Sequence, residues 1–323
     1  MTPPSGPARP SEPTGPSRTG NTPEEPTTVS APLQVFGVED PAADCIADSA
    51  GGITFDLDAP GVPDAPGDWS AALVLRRRGS DEEAEEFRLP LAPNGDGRLR
   101  AVLPSTVALP EGRWDVYVAC ADAEPRRLVP GLADLRSLVD RRPGPSTSPL
   151  AVRIPYATKH GNLSLRSWLR GPHAEAGDLR PGTRGLTGRG RLYRVQDPAA
   201  WLAGAVVEAR LRRDPDVVVT TPAGAVTAEG ADAQDFTFTL DFAEPAGHWQ
   251  GGLDVWDLWL RGAGGTETAR IARILDDIAD KKQIFTYPAQ DVAAPYAPAQ
   301  VGPYYTADND LAIRIDERPP AAG

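Results

Sequence analysis

Apolar and polar residues alternate with a period of two along short stretches of this chain, and turn-forming residues separate the stretches. Between residues 236 and 242, Phe or Leu occupies every second position and Thr or Asp the positions between. This alternation is typical of a β-strand with one face in a core. Similar runs occupy residues 72–75, 87–91 and 99–103. Residues 266–282 have the best helical periodicity, which leaves a helix or irregular turns open there. The pattern predicts an all-β protein.

A segment in the middle of the chain recurs near its end. Residues 155–166 (PYATKHGNLSLR) align without gaps on residues 303–314 (PYYTADNDLAIR), with identical residues at five of twelve positions. Upstream of each copy, a Trp-Asp pair lies within a strand-like run, at residues 114–115 and at residues 256–257. Matches that keep the same order along the chain indicate an internal duplication.

Each repeated unit has the length and strand spacing of a β-sandwich. We therefore predict two tandem immunoglobulin-like, or carbohydrate-binding-module-like, β-sandwich domains at residues 33–170 and 185–318, with a linker at residues 171–184. A propeller fits less well, because two units of this length would not make equal blades. Residues 1–32 are rich in Pro, Ser, Thr and Gly, which predicts a disordered tail. Residues 319–323 form a second, short tail.

Alternation around the two Trp-Asp pairs assigns residues to opposite faces of their strands. Trp114 shares a face with Val116 and Val118, and Trp256 shares a face with Leu258. Both tryptophans are therefore predicted to anchor a core. The opposite face carries four candidate binding residues: Asp115, Tyr117, Asp257 and Trp259.

An aromatic ring beside a carboxylate on an outward face suggests a sugar site, because the ring can stack on the sugar while the carboxylate accepts hydrogen bonds from hydroxyl groups. The same pattern fits an interface with another chain, since exposed aromatic area needs covering. It also fits internal packing beneath residues 128–139 and 271–284. The residue pattern leaves these three interpretations open.

The sequence shows no catalytic arrangement. His160, His173 and His248 lie among turn residues without partners at metal-ligand spacing, and there is no Gly-x-Ser-x-Gly motif. The acidic clusters at residues 276–280 and 308–310 lack the length and the glycine of a calcium loop. We therefore predict no catalytic residue, no metal and no cofactor.

Charge and cysteine content restrict partners and compartment. The net charge of −12 argues against nucleic acid as a partner. The chain shows no signal peptide and no apolar run long enough to span a bilayer, which predicts a cytoplasmic protein without a membrane span. Cys45 and Cys120 are expected to be free thiols there, although a disulfide stays open for an exported chain.

Residues 109–118 (LPEGRWDVYV), with a weaker copy at residues 255–260 (VWDLWL), resemble a strand of the β-sandwich accessory modules that follow the catalytic domain of bacterial wall-polymer glycosyltransferases of the teichoic-acid type. The resemblance implies a non-catalytic role in oligomerisation or glycan handling. This chain has no transferase catalytic domain, so no catalytic residue is carried over. Its Ala- and Arg-rich, Lys-poor usage suggests an actinobacterial origin.

These observations predict a non-enzymatic, tandem β-sandwich protein that binds a carbohydrate or a protein partner such as a glycosyltransferase. The principal alternative is a transferase or hydrolase with its site at the junction between the units. A structural protein that forms homo-oligomers is the third. Ionisable groups that converge at the junction would favour the enzyme, and an exposed aromatic patch would favour binding.

Overall fold

The computed structural model describes residues 40–59, 71–79, 85–95, 97–120, 124–139, 141–227, 230–265 and 267–318. The predicted tails, residues 1–32 and 319–323, lie outside these ranges, as do residues 33–39. The described chain is built almost entirely of β-strands, and the predicted all-β class is confirmed.

The first half of the described chain contains eleven strands and a single 3₁₀ turn at Arg136–Leu138. The strands are β1 (Ala42–Ala47), β2 (Ile53–Asp58), β3 (Ala71–Arg77), β4 (Glu86–Pro90), β5 (Ala92–Pro93), β6 (Arg98–Leu103), β7 (Gly112–Cys120), β8 (Arg126–Arg127), β9 (Val129–Asp134), β10 (Leu150–Ala157) and β11 (Leu163–Arg170).

These strands form two sheets around one core. One sheet has the order β5-β6-β2-β1-β9, and the other has the order β10-β11-β7-β3-β4, with β8 added beside β7. Phe55 from the first sheet and Trp114 from the second belong to the same buried cluster. Trp114 has no exposed surface, so its predicted inward position is confirmed. Cys45 and Cys120 are both free thiols, as expected.

The second half contains ten strands and two short helices. The strands are β12 (His173–Pro181), β13 (Gly185–Tyr193), β14 (Val206–Leu211), β15 (Val218–Ala225), β16 (Asp235–Asp241), β17 (Asp254–Arg261), β18 (Thr268–Ala272), β19 (Gln290–Ala293), β20 (Pro298–Tyr305) and β21 (Leu311–Glu317), and the helices are α1 (Pro198–Leu202) and α2 (Ala243–Gly247).

Seven of these strands close into a ring, which differs from the sandwich predicted for this half. The order is β14-β15-β16-β13-β12-β18-β17, and β17 pairs again with β14. Strands β21, β20 and β19 extend outward from β17. Trp256 is fully buried in the core of this half, as predicted. Strand β12 occupies much of the stretch predicted as a linker, and residues 268–272 form β18 where a helix was left open.

The repeated segments occupy hairpins with the same register. Ala157 pairs with Leu163 in the β10–β11 hairpin, and Tyr305 pairs with Leu311 in the β20–β21 hairpin, at an offset of 148 residues in each case. Gly161 and Asn309 occupy the equivalent turn position, with φ of 79° and 59°. Gly and Asn are the residues that adopt this left-handed conformation most readily.

The two halves share an extensive contact. Ala272 is the last residue of β18 in the second half, and Ile274 and Leu275 come shortly after it. All three residues pack in the core of the first half. The indole nitrogen of Trp168 in β11 donates a 3.0 Å hydrogen bond to the carbonyl oxygen of Asp308. The turn at residues 306–310 is thereby held against the first half, next to the outward face of β17.

Candidate functional site

The outward face of β7 carries an aspartate and a tyrosine surrounded by arginines, and we call this group the first array. Nη2 of Arg127 donates a 2.6 Å hydrogen bond to Oδ1 of Asp115, and Arg78 donates to the same oxygen. The guanidinium carbons of Arg76 and Arg127 lie 5.0 and 4.9 Å from the ring centroid of Tyr117. Arg76 is on β3 and Arg127 on β8, so the two cations reach the ring from opposite sides of β7. The first array is Arg76, Arg78, Asp115, Tyr117 and Arg127.

The outward face of β17 repeats this arrangement in the second half. Arg212 donates to both carboxylate oxygens of Asp257, at 2.6 and 3.1 Å, and Arg270 forms an ion pair with Asp257 at 2.7 Å. The guanidinium carbons of Arg210 and Arg270 lie 4.8 and 4.9 Å from the centroid of a Trp259 ring. Arg210 and Arg270 come from β14 and β18, which flank β17. The second array is Arg210, Arg212, Asp257, Trp259 and Arg270.

Guanidinium groups, and not an apolar segment, therefore cover much of both outward aromatics. The expectation that residues 128–139 and 271–284 fold over Tyr117 and Trp259 is replaced by contacts from Arg127 and Arg270, the residues just before those segments. Leu128 and Ile271 point the other way and are buried in the two cores. The aromatics are half-buried, which leaves less bare ring surface than an open sugar-stacking platform would have.

The arrays hold their carboxylates in the ionised form. Burial by itself would raise the pKa of Asp115, but hydrogen bonds from Arg78 and Ser164 and the charge of Arg127 lower it overall. Burial would also raise the pKa of Asp257, but hydrogen bonds and charge from Arg212 and Arg270 outweigh burial and lower this pKa overall. Each carboxylate is thus a fixed negative charge that orients the surrounding guanidinium groups.

The lowered pKa values predict a loss of stability in acid. A carboxyl group whose pKa is lower in the folded than in the unfolded state stabilises the fold above its unfolded pKa of about 3.9, and this stabilisation is lost as the pH falls through the folded pKa. Asp257→Asn should therefore flatten the pH dependence of the free energy of unfolding below about pH 4. Urea denaturation at several pH values measures this slope.

Asp216→Asn is the matched control for that experiment, because Asp216 is exposed and forms no ion pair with any residue in the described part of the chain. It should leave the slope close to that of the wild type. An unchanged slope in Asp257→Asn would mean that the array does not lower the pKa of Asp257.

A cleft of about 580 Å³ lies beside the second array, where the two halves meet. Trp259, Arg212 and Arg270 form one wall, and Glu111 and Arg170 of the first half form another. The turn at residues 306–310 completes the lining. Of the four residues predicted from sequence, only Trp259 lines this cleft; Asp257 stands behind Arg212 and Arg270, and Asp115 and Tyr117 belong to the first array. The lining residues are Glu111, Arg170, Gly171, Pro172, Arg212, Trp259, Thr268, Arg270, Thr306, Ala307, Asp308 and Asp310.

Arg170 joins the two halves inside the cleft. Its guanidinium donates to Glu111 at 2.6 and 3.1 Å and to Oδ1 of Asp310 at 2.7 Å. Burial raises the pKa of Asp310 above its ordinary value, although the charges of Arg170 and Arg270 oppose this shift. The pKa of Arg170 is raised because its hydrogen bonds and charge contacts with Glu111 and Asp310 outweigh burial. Ionisable groups from distant parts of the sequence thus converge at the junction.

Sequence reasoning missed Glu111, Arg170 and Asp310 as a group. Asp310 was noted only within an acidic turn, and nothing local connects it with Arg170, which is 140 residues away. His173 is also placed differently from the prediction, because it lies fully buried in β12 and not in a turn. Its Nε2 is 2.7 Å from Oε2 of Glu175.

Two general features of the described residues bear on the predictions. No three or more His, Cys, Asp or Glu side chains in that part of the chain are grouped so that they could hold a metal ion. None of the helices described there has the length and apolar character needed to cross a membrane. The acidic residues at 276 and 308 instead pair with Lys281 and Arg166.

No family model and no curated protein sequence matches this chain. Solved structures with some similarity include TarS of S. aureus, at 15% identity over 63% of this chain and 36% of that chain, with a TM-score of 0.28. Residues 217–571 of TarS match at 14% identity over 72% and 62% of the two chains, also at 0.28. The FN1–FN3 domains of chicken CNTN1 match at 8% identity over 72% and 60%, at 0.18. This chain thus covers about a third of the first structure and less than two thirds of the others, and TM-scores this low establish no shared fold or function.

Proposed function

We propose that the protein is a non-catalytic binding protein that holds a hydroxyl-rich, carbohydrate-like ligand in the cleft beside the second array. The supporting observation is the composition of the cleft, whose lining combines the indole ring of Trp259 with side chains that donate or accept hydrogen bonds. Its lining contains three arginines (Arg170, Arg212 and Arg270) and three carboxylates (Glu111, Asp308 and Asp310). A lining of balanced charge suits a neutral polyol better than a polyanion, because hydroxyl groups both donate and accept hydrogen bonds.

The four predicted site residues contribute to ligand binding to different degrees in this proposal. Trp259 contacts the ligand directly, and Asp257 orients Arg212 and Arg270 toward it. Tyr117 and Asp115 form a second, weaker contact on the first array. The sequence resemblance to glycosyltransferase accessory modules suggests a glycan or wall-polymer context for the ligand and a transferase as partner. The Ala- and Arg-rich, Lys-poor composition, with the sequence-based expectation of a cytoplasmic protein, suggests the cytoplasm of an actinobacterium as the setting.

The repeated architecture supports the idea that the two halves arose by duplication of one unit. Asp115 pairs with Ser164 across β7 and β11, and Asp257 pairs with Ala312 across β17 and β21, at the positions that the sequence repeat predicts. On the other side of its strand, each aspartate lies opposite an arginine in the pairing register: Arg76 in β3 for Asp115, and Arg210 in β14 for Asp257. In this proposal the second unit has since closed its sheet into a ring.

The test is glycan binding by single variants. A glycan array identifies a ligand for the wild type, and calorimetry then gives dissociation constants. We expect Trp259→Ser to weaken binding by at least about tenfold, which corresponds to about 1.4 kcal/mol, and Tyr117→Ser to weaken it less. Tyr296→Ser is the matched control, because Tyr296 is a strongly exposed aromatic of the second half outside the cleft. Equal losses in all three variants, or no glycan binding by the wild type, would contradict the proposal.

A hydrolase or transferase with the same cleft as its active site is the second candidate function. The observation in its favour is the convergence of ionisable groups at the junction, where burial also raises the pKa of Asp310. A raised pKa brings a carboxyl group closer to the range in which it can act as a general acid. Asp310→Asn would then reduce the turnover of a glycan far more than it weakens glycan binding. A wild-type protein that binds the glycan without altering it excludes this candidate.

A further inference from the structure

A second cleft, of about 840 Å³, opens elsewhere on the described chain and shares no lining residue with the first. Its wall combines Arg141 and Arg142 from the end of the first half with parts of β12 and β13 from the ring. Arg273 and Leu275, just after β18, close another side. The lining contains five arginines, at 141, 142, 189, 191 and 273, and three carboxylates, at 175, 178 and 235.

Most of the lining carboxylates are already committed to other partners. Asp235 accepts from Arg191 at 2.7 and 3.1 Å. Glu175 accepts hydrogen bonds of 3.0 Å from the backbone nitrogens of Ile274 and Leu275 and contacts His173. Asp235 and Glu175 are therefore not available to the remaining cations of the cleft. Asp178 is the third lining carboxylate; it is exposed and is outnumbered by the five arginines.

Two of the lining arginines have unused guanidinium groups. The guanidinium groups of Arg142 and Arg189 are exposed and form no hydrogen bond or ion pair with any residue that the structure describes, although the charge of Arg142 acts on Asp235 and lowers its pKa. Arg273, by contrast, is paired with Asp276 at 3.3 Å and stacks over Phe285. Two free guanidinium groups in one concave surface are the usual arrangement for binding an oxyanion through paired hydrogen bonds.

Further positive charge lies behind the cleft without a carboxylate partner. Arg141 donates to the carbonyl oxygens of Ala50 and Ala151, and buried Arg153 donates only to backbone carbonyls as well. Burial lowers the pKa of Arg141, and the nearby charge of Arg194 lowers it further. Burial and the charge of Arg141 likewise lower the pKa of Arg153, to about 10.

Among the described residues, Asp48 is the one carboxylate whose charge raises the pKa of Arg141 and of Arg153. It forms no ion pair with either arginine. Buried cations in folded proteins are normally paired with a counterion. A bound anion in the adjoining cleft would supply the missing negative charge.

We propose that this second cleft binds the phosphate group of a small phosphorylated ligand, with Arg142 and Arg189 as its direct contacts and Arg141 as a supporting charge. Tyr193 lines the same cleft, and burial raises the pKa of its phenol, so it remains a hydrogen-bond donor at neutral pH. This inference does not depend on the proposed carbohydrate cleft, because the two clefts share no lining residue and the phosphate contacts named here lie in the second cleft alone.

The experiment is calorimetric titration of the full chain with inorganic phosphate, pyrophosphate, glucose 1-phosphate and glucose. We expect the phosphorylated probes to bind and glucose not to bind at this site. The double variant Arg142→Ala/Arg189→Ala should raise the dissociation constant for the best phosphate probe at least about tenfold. Tighter binding of glucose 1-phosphate than of inorganic phosphate, if it is lost in this double variant and kept in Trp259→Ser, identifies a phosphorylated sugar as the ligand class of this cleft. Equal affinity for the two probes identifies the free anion.

The matched control is Arg180→Ala/Arg184→Ala. Both arginines are exposed, lie on or beside the same β12–β13 hairpin and do not line the cleft. This double variant removes the same net charge and should change the dissociation constant by less than about twofold, because neither side chain lines the cleft and exposed charges are screened by salt. Equal weakening by the two double variants, or no binding of any phosphate probe by the wild type at about millimolar concentration, overturns the proposal.

Discussion

Replacement of Trp114 or Trp256 by Ala is expected to lower the free energy of unfolding by about 3–5 kcal/mol, the usual loss when a fully buried aromatic is removed. Both side chains have no exposed surface, and each lies in the core of its own half. The edge of the Phe87 ring meets Trp114 at a centroid distance of 5.4 Å, so that contact is lost as well. Urea denaturation followed by circular dichroism measures the loss.

Replacement by Phe separates packing from hydrogen bonding at these two positions. The indole nitrogen of Trp114 donates a 3.0 Å hydrogen bond to the carbonyl oxygen of Pro110, whereas the buried indole nitrogen of Trp256 has no partner among the described residues. Trp114→Phe should therefore be more destabilising than Trp256→Phe, by about 1 kcal/mol. Leu132→Ala, at a strongly exposed apolar side chain, is the control and should change stability by less than about 0.5 kcal/mol. A loss below about 1 kcal/mol in either Ala variant would contradict the core assignment.

Asp276→Ala is expected to lower the free energy of unfolding by about 3–5 kcal/mol, about as much as the loss of a core tryptophan. The physical reason is that it leaves a buried cation without its counterion. Lys281 has no exposed surface, and its Nζ donates to Oδ1 of Asp276 at 2.6 Å and to the carbonyl oxygen of Ile278 at 2.8 Å. Asn309 fixes the same segment by accepting a 3.0 Å hydrogen bond from the backbone nitrogen of Lys281. The contact connects residues 276–281 with the turn that borders the carbohydrate cleft.

The pH dependence gives this prediction a second measurement. Burial lowers the pKa of Lys281, although the charge of Asp276 opposes the shift. A lysine whose folded pKa lies below its unfolded value of about 10.4 binds fewer protons in the folded state, so stability increases as the pH rises from the folded pKa toward that value. Asp276→Ala lowers the folded pKa further, and its destabilisation should therefore be smaller at pH 9 than at pH 7.

Two variants make the result specific to the buried ion pair. Asp277→Ala removes the exposed neighbouring carboxylate and should have little effect. The double variant Asp276→Leu/Lys281→Met replaces the pair with apolar side chains and should recover most of the stability. A double variant no more stable than Asp276→Ala would show that the loss comes from the backbone contacts of Asp276 and not from the stranded cation.

The direction in which each face of the central strands points could be predicted from local sequence pattern. Alternation within a strand depends only on neighbouring residues, so it placed Trp114 and Trp256 inside and Tyr117 and Trp259 outside. The repeat also aligned the hairpins at residues 155–166 and 303–314, which the structure forms in the same register.

The contacts of the outward residues could not be predicted in this way, because they come from strands that are distant in the chain. The arginines that cover Tyr117 and Trp259 come from β3, β8, β14 and β18, and their positions depend on the pairing register of strands distant in sequence. Closure of the ring likewise depends on the pairing of β14 with both β15 and β17. The two clefts and the burial of Lys281 arise where the halves pack together, and local sequence pattern carries no information about that contact because it reports only on a strand's own periodicity.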